Sequence, residues 1–200
     1  MRLIAERLGL ERGGRRLFRD LGMALESGEA LVVTGPNGAG KSSLLLLIGG
    51  LLKPTEGRIE LAGQGAERSA GTAAHFVGHL DGVKTALTAR ENLEFMRALL
   101  GGRPDGTSAL ATLGIERLAD LPAGMFSAGQ KRRLALARLL IAPRPLWLLD
   151  EPVTSLDADG QTVFASLARA HLQRGGLIVA ATHAPLGIDG ARELKLGGGA

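Results

Sequence analysis

Gly35-Pro36-Asn37-Gly38-Ala39-Gly40-Lys41-Ser42-Ser43 follows the apolar run at residues 30–34 and precedes another at 44–48. An apolar run, a glycine-rich turn and a second apolar run read as strand, turn and helix. The spacing G-x-x-x-x-G-K-S is that of a phosphate-binding loop. Gly35, Gly38 and Gly40 let backbone N–H groups approach a phosphate closely. The helix that begins here aims its unpaired N–H groups at the same anion. Lys41 is the cation expected on the β- and γ-phosphates, and the Ser42 hydroxyl is a candidate Mg²⁺ ligand. On this reading residues 35–43, Pro36, Asn37, Ala39 and Ser43 among them, form a nucleotide cradle.

Outward from the loop, residues 3–10 and 16–25 read as two strands joined by a turn at Glu11-Arg12-Gly13-Gly14, with further strands at 58–62, 73–78, 146–149, 177–181 and 192–196. Thr88 caps an expected helix to residue 100, with Glu91 completing a capping box. Residues 108–113 and 116–121 read as short helical pieces, 128–141 and 157–174 as longer helices. The whole chain, residues 1–200, reads as a single α/β domain with a helical subdomain at about 84–140. Two hundred residues can bury a substantial core. There is no cysteine, which removes disulfides and thiolate metal sites. No secretory leader is visible, and the longest apolar stretch, 44–52, is too short to span a bilayer. A net charge of +4 does not choose among anionic partners, while the scarcity of aromatics and absence of tyrosine argue against a base-stacking nucleic-acid platform.

Trp147-Leu148-Leu149-Asp150-Glu151-Pro152 is an apolar strand ending in two carboxylates. A strand buried on both faces delivers such acids to the carboxyl edge of a parallel sheet, where ligands bind. Asp150 is expected to hold Mg²⁺ through water, and Glu151 to polarise the attacking water. Trp147 is read as packing. Upstream, Ser127-Ala128-Gly129-Gln130 begins a helix: Ser127 can cap it, and the small Ala128 and Gly129 leave room for a phosphate at its free N–H groups. Lys131, Arg132 and Arg133 then oppose the helix dipole, so something should compensate them. A bound nucleotide and a plain solvated basic face are both readings of that pattern.

The phosphate loop, SAGQ at Ser127 and LLDEP at Leu148 occur in the order and spacing of the ATP-binding cassette ATPases, and the chain resembles that family over nearly its whole length. Ser155-Leu156-Asp157 resembles the family's D-loop, and His183 its switch histidine. The resemblance implies a phosphate-loop (RecA-like) core, an N-terminal antiparallel β subdomain and a helical signature subdomain. It implies a second copy of the chain, each ATP lying between the cradle of one copy and Ser127, Ala128, Gly129 and Gln130 of the other. Lys41, Glu151 and His183 would then be catalytic, Ser42 and Asp150 the metal ligands, and Asp157 would touch the partner chain.

Three positions depart from the usual pattern. His79 stands at the Q-loop position, Arg12 replaces the adenine-stacking aromatic, and Ala128 the first signature glycine. Within the family, Gly78-His79, residues 82–85 and 87–93 together with SAGQ are similar to the ATPase subunits of cytochrome c maturation haem exporters. That similarity implies a peripheral place on the cytoplasmic face of a bacterial inner membrane, the membrane partner CcmB with CcmC and CcmD, and indirectly the haem chaperone CcmE. Residues 80–97 would receive the membrane partner, and no nucleic acid is implied. His75 and His171 are read as structural or solvent-facing. The competing reading is a soluble cassette ATPase, for example of iron–sulfur cluster assembly, or another importer or exporter ATPase. A regulatory cassette without turnover fits poorly with Lys41, Asp150, Glu151 and His183, and a kinase or GTPase leaves SAGQ unexplained.

Overall fold

The structure, a computed structural model, describes residues 1–63, 70–78, 82–102 and 106–197. Its elements in chain order are β1 (Arg2–Arg12), β2 (Arg15–Glu26), β3 (Ala30–Thr34), α1 (Lys41–Ile48), β4 (Glu56–Ala62), α2 (Ala70–Ala73), β5 (Ala74–Val77), α3 (Ala89–Leu100), α4 (Gly106–Thr112), α5 (Ala128–Ile141), β6 (Leu146–Asp150), α6 (Ala158–Gln173), β7 (Leu177–Ala181) and β8 (Arg192–Lys195). They form two sheets. One is antiparallel, in the order β2-β1-β4; the other is parallel, in the order β5-β6-β7-β3-β8.

Side-chain alternation sets the layers. All five residues of β6 and all five of β7 are buried. Successive side chains of a strand point to opposite faces. Trp147 and Leu149, with Ile178 and Ala180, therefore join the core under α3 to α6, while Leu146 and Leu148, with Leu177, Val179 and Ala181, join the core shared with α1 and the antiparallel sheet. This is why these strands, up to Asp150 at the end of β6, are apolar throughout rather than alternating.

The helices start where their caps say. Thr88 Oγ1 accepts from the Glu91 N–H at 3.1 Å while the Glu91 carboxylate accepts from the Thr88 N–H at 2.8 Å. Ser127 and Gln130 exchange the same pair of bonds at the head of α5, at 3.2 and 2.9 Å. Two expectations shift. Residues 116–121 make only a 3₁₀ turn at Glu116–Leu118, because Pro122 disfavours the α conformation before it and bridges to Thr88. The turn expected at residues 11–14 narrows, since Glu11 and Arg12 stay in β1 with Arg12 opposite Arg15. Among the described residues, no helix is long and apolar enough to cross a membrane.

Beneath the parallel sheet, His171 stacks on Trp147 with ring centroids 3.9 Å apart, and a ring nitrogen lies 3.3 Å from the Leu177 carbonyl oxygen. His75 is also buried, with a ring nitrogen 2.6 Å from the Ala142 carbonyl oxygen. Both rings are thus structural. Burial is the main force lowering each pKa from 6.5 to about 4, aided at His75 by Arg138, Arg144 and His171 and at His171 by Arg174, and opposed by the carbonyl contacts. The folded pKa values lie below the unfolded ones. Their contribution is therefore intact above pH 6.5, and is lost as pH falls from 6.5 towards 4, where the unfolded chain binds protons that the native rings refuse. Between pH 7.5 and 5, where carboxylates barely titrate, the urea midpoint is expected to drop by the equivalent of about 2–4 kcal/mol, and His75→Gln to flatten that slope. A flat wild-type profile would contradict this account.

Candidate nucleotide site

In a parallel sheet, ligand-binding loops gather beyond the carboxyl ends of the strands. Here β6, β7 and β3 are adjacent in that order, so the segments leaving them meet. The loop after β3 ends at Gly40, whose φ of 98° a side chain adopts only with strain, and a Cβ there would sit within 3.2 Å of Leu17 and Phe18. Gly40 precedes α1, which has no side-chain cap, leaving the N–H groups of its first turn open to an anion. Lys41 Nζ folds back over the loop and donates to the carbonyls of Gly35 at 2.7 Å and Pro36 at 3.2 Å.

The loop forms one wall of a cavity of about 620 Å³. Asn37, Gly38, Gly40, Lys41, Ser42 and Ser43 line it on one side, Asp150, Glu151 and Thr154 on another, and Arg12 with Leu17 from the β1–β2 hairpin close it. Volume and donors suit a nucleotide, a polar cradle with one apolar wall. Asp150 is buried and Ser42 exposed, and both are hard oxygen donors. Among the described residues no three His, Asp or Glu side chains form a metal cage. That sparse oxygen set fits Mg²⁺, which keeps several waters and needs few protein ligands in a phosphate site.

Glu151 leaves β6 in the left-handed region, at φ 50°. For a residue with a Cβ this costs about 1–2 kcal/mol and persists where neighbours over-determine it. Its N–H donates to the Ala181 carbonyl at 2.8 Å. Its carboxylate accepts from the Thr182 hydroxyl at 3.0 Å and from Thr154 at 3.3 Å. Thr182 is itself buried and accepts from the Ala184 N–H. Sequence reading missed Thr182, Thr154 and Leu17. The signal for Thr182 was its place at the exit of a buried parallel strand, immediately before His183. His183 is exposed there. His79 lies outside the described residues.

Ser127 and Ala128 are exposed, and none of residues 127–130 lines the cavity. They meet the turn at residues 155–157 instead: a Cβ at Gly129 would lie 2.7 Å from the carbonyl oxygen of Ser155, itself at φ 69°. Leu156 is buried beside that turn. Asp157 caps α6, accepting from the Gly160 N–H at 2.9 Å, and pairs with Arg133 at 2.5 Å. The cap bond first, and then the guanidinium, hold its carboxyl below the ordinary carboxylate range. Two of the three cations at the start of α5, Arg132 and Arg133, are held by oxygens of the chain itself rather than forming a solvated face. Arg132 is buried against backbone carbonyls, and Arg133 reaches the Leu113 carbonyl as well as Asp157.

The family model described as "ABC transporter" matches residues 18–154, more than half of the chain. "Cytochrome c biogenesis ATP-binding export protein CcmA" of Nitrobacter winogradskyi is 53% identical, with all of both chains covered. The proteins of that name from a Chelativorans strain and Rhizobium meliloti are 51% and 48% identical over at least 99% of both chains. Among solved structures, a putative ABC transporter ATP-binding protein from Pyrococcus furiosus superposes with a TM-score of 0.84 at 22% identity, 98% of each chain being covered. A bacterial Atm1-family ABC exporter with ATP bound gives 0.82 at 24% identity, 98% of this chain covering 36% of that one. The fold expected from the sequence is therefore that of these ATPase domains, with the parallel core, the antiparallel sheet and the mutually packed α3, α4 and α5. A phosphate loop and an acid-tipped strand converging on one cavity, in a chain matched along its length by these relatives, make it a member of the ABC transporter ATP-binding family, within the group of CcmA proteins.

Proposed function

We propose that this chain is the ATP-hydrolysing subunit of a cytochrome c maturation complex, working as a head-to-tail pair beneath a membrane partner. The observation that carries the paired reading is the split of the site. The cradle and the acid pair share one cavity, while Ser127 and Ala128 lie exposed at the head of α5 and outside that cavity's lining. A helix N-terminus bearing its own cap and small residues is a phosphate site in waiting. On its own chain it has no triphosphate to meet; across a dimer it has the partner's.

In this reading the residues divide the chemistry. Residues 35–43 wrap the phosphates with N–H groups, and Lys41 leaves the loop carbonyls to meet the β- and γ-phosphates. Arg12 stacks its guanidinium on the base beside Leu17. Ser42 and Asp150 would hold Mg²⁺, which when bound supplies charge neutralisation at the phosphates. Glu151 takes a proton from water as its oxygen bonds to the γ-phosphorus and the bond to the β-phosphate oxygen breaks. His183 hydrogen-bonds the γ-phosphate from its own chain. Ser127, Ala128, Gly129 and Gln130 bind that phosphate from the other copy, and Ser155, Leu156 and Asp157 border the shared surface. Residues 84–140 act as the helical subdomain, and the segment around 80–97 receives the membrane protein. His79, at the Q-loop position, would reach phosphate or water by hydrogen bonding rather than by metal ligation.

Relatives sharing half of the sequence along its full length carry the cytochrome c biogenesis name, which supports CcmB, with CcmC and CcmD, as the membrane partners at the cytoplasmic face of the inner membrane. Hydrolysis would drive haem export or release of haem-loaded CcmE. Tagging the chain in its native cell and identifying what co-purifies from detergent-solubilised membranes tests this. An integral membrane protein with cytochrome c maturation components is expected, together with failure to assemble c-type cytochromes on deletion. Recovery of a soluble iron–sulfur scaffold, with normal c-type cytochromes in the deletion strain, would favour the soluble alternative.

A further inference from the structure

We infer that Arg132 is a positioning residue for hydrolysis, holding the Glu151 turn in the backbone conformation that aims its carboxylate into the cavity; the inference rests on Glu151 being the base. Arg132 is the fifth residue of α5 and is 3% exposed. Its Nε donates to the Pro152 carbonyl at 3.1 Å. One terminal nitrogen donates to the carbonyls of both Asp150 and Glu151 at 2.6 Å. The other reaches the carbonyl of Gly78, just beyond β5, at 2.9 Å. A single planar guanidinium thus grips three consecutive carbonyls through the catalytic turn and fastens them to a neighbouring strand exit.

Packing alone does not account for this residue. Burying a cation is costly unless its donors are satisfied, and an apolar side chain would fill such a position at lower cost. What the guanidinium supplies is a rigid fork of donors, which the flexible stem and tetrahedral head of lysine do not reproduce. Its target is the strained point of the site. Glu151 sits at φ 50°, and the hydrogen bonds of its carboxylate to Thr182 and Thr154 orient the side chain without fixing that backbone. The Ala181 carbonyl holds the N–H side of the residue and Arg132 its carbonyl side. Strain of this kind survives where several contacts enforce it.

Arg132→Lys in the full-length protein should lower kcat by about 10- to 100-fold, the order expected when a reacting group is displaced by about an ångström, while the ATP Kd changes by less than about threefold. The discriminating readout is a double-mutant cycle with residual turnover followed over hours. In a Glu151→Gln background, Arg132→Lys should cause no further loss, because Arg132 acts through the carboxylate already removed. A wild-type kcat in Arg132→Lys overturns the inference, as does an equal fold-loss in both backgrounds. Should Glu151→Gln itself turn over normally, the assignment of the base has failed instead. Arg132→Ala with millimolar guanidinium gives a second route: recovery of kcat above an equal concentration of NaCl is expected, and none in a variant that still binds ATP counts against the inference.

Discussion

Glu151→Gln is expected to bind ATP as wild type does and to turn it over about 10²- to 10⁴-fold more slowly, the usual contribution of a positioned base. The glutamine keeps the shape of the side chain, and its amide can still meet the Thr182 and Thr154 hydroxyls that flank the carboxylate. It cannot accept the water proton at neutral pH. Hydrolysis is then the blocked step, and ATP stays between the two copies. A ligand shifts an equilibrium only by its differential affinity for the two states, and in the proposed head-to-tail pair ATP would contact both copies only when they are closed. The variant should therefore accumulate as a closed dimer, visible as an ATP-dependent doubling of mass in solution, or as a nucleotide-locked pair within the membrane complex. Rapid turnover by the variant would take the base away from Glu151.

Why this carboxylate was legible beforehand, and its supports were not, follows from what a sequence encodes. Asp150 and Glu151 were found because an apolar run that ends in acids can be read along the chain, and because parallel strands deliver their ends to one edge. Caps are equally local: Thr88 with Glu91, and Ser127 with Gln130, satisfy backbone donors within four residues, and the helices begin there. Thr182 and Arg132 reach Glu151 across 31 and 19 positions of chain. Nothing local distinguishes a threonine that ends a strand from one that supports a base. At Arg132 the clash was visible, since three cations stood at the wrong end of a dipole, but its resolution lies in carbonyls brought up by β6 and β5. The helical piece expected at 116–121 is shorter, a 3₁₀ helix at Glu116–Leu118, for a related reason. Its helical composition is overridden by the proline after it and by the bridge to Thr88.

Two inactive copies should make one working site. Lys41→Ala removes the ammonium that now rests on the Gly35 and Pro36 carbonyls, and so empties the cradle of its cation without touching α5. Ala128→Glu does the reverse. Ala128 is the first residue of α5 and exposed, and an acid in a first helical turn favours the helix by some tenths of a kcal/mol, so the fold and the Ser127 cap should survive. Its charge and bulk would occupy the place proposed for the partner's γ-phosphate. Each homodimer has two sites with the same defect and should turn over at a few per cent of wild type or less. In a mixed pair, one site joins the damaged cradle to the damaged helix start, and the other joins an intact cradle to an intact helix start. Co-expression with distinct tags, followed by tandem purification of the mixed complex, isolates that arrangement. Turnover recovered to between about a tenth and a half of wild type, from partners that are each inactive alone, is expected if a site draws on both copies. The upper figure applies if the two sites fire independently, the lower if they are coupled, since groups that act as a unit lose activity non-additively. A mixed complex that is folded, binds ATP and stays at the homodimer background would mean that the cradle and the head of α5 never serve the same nucleotide.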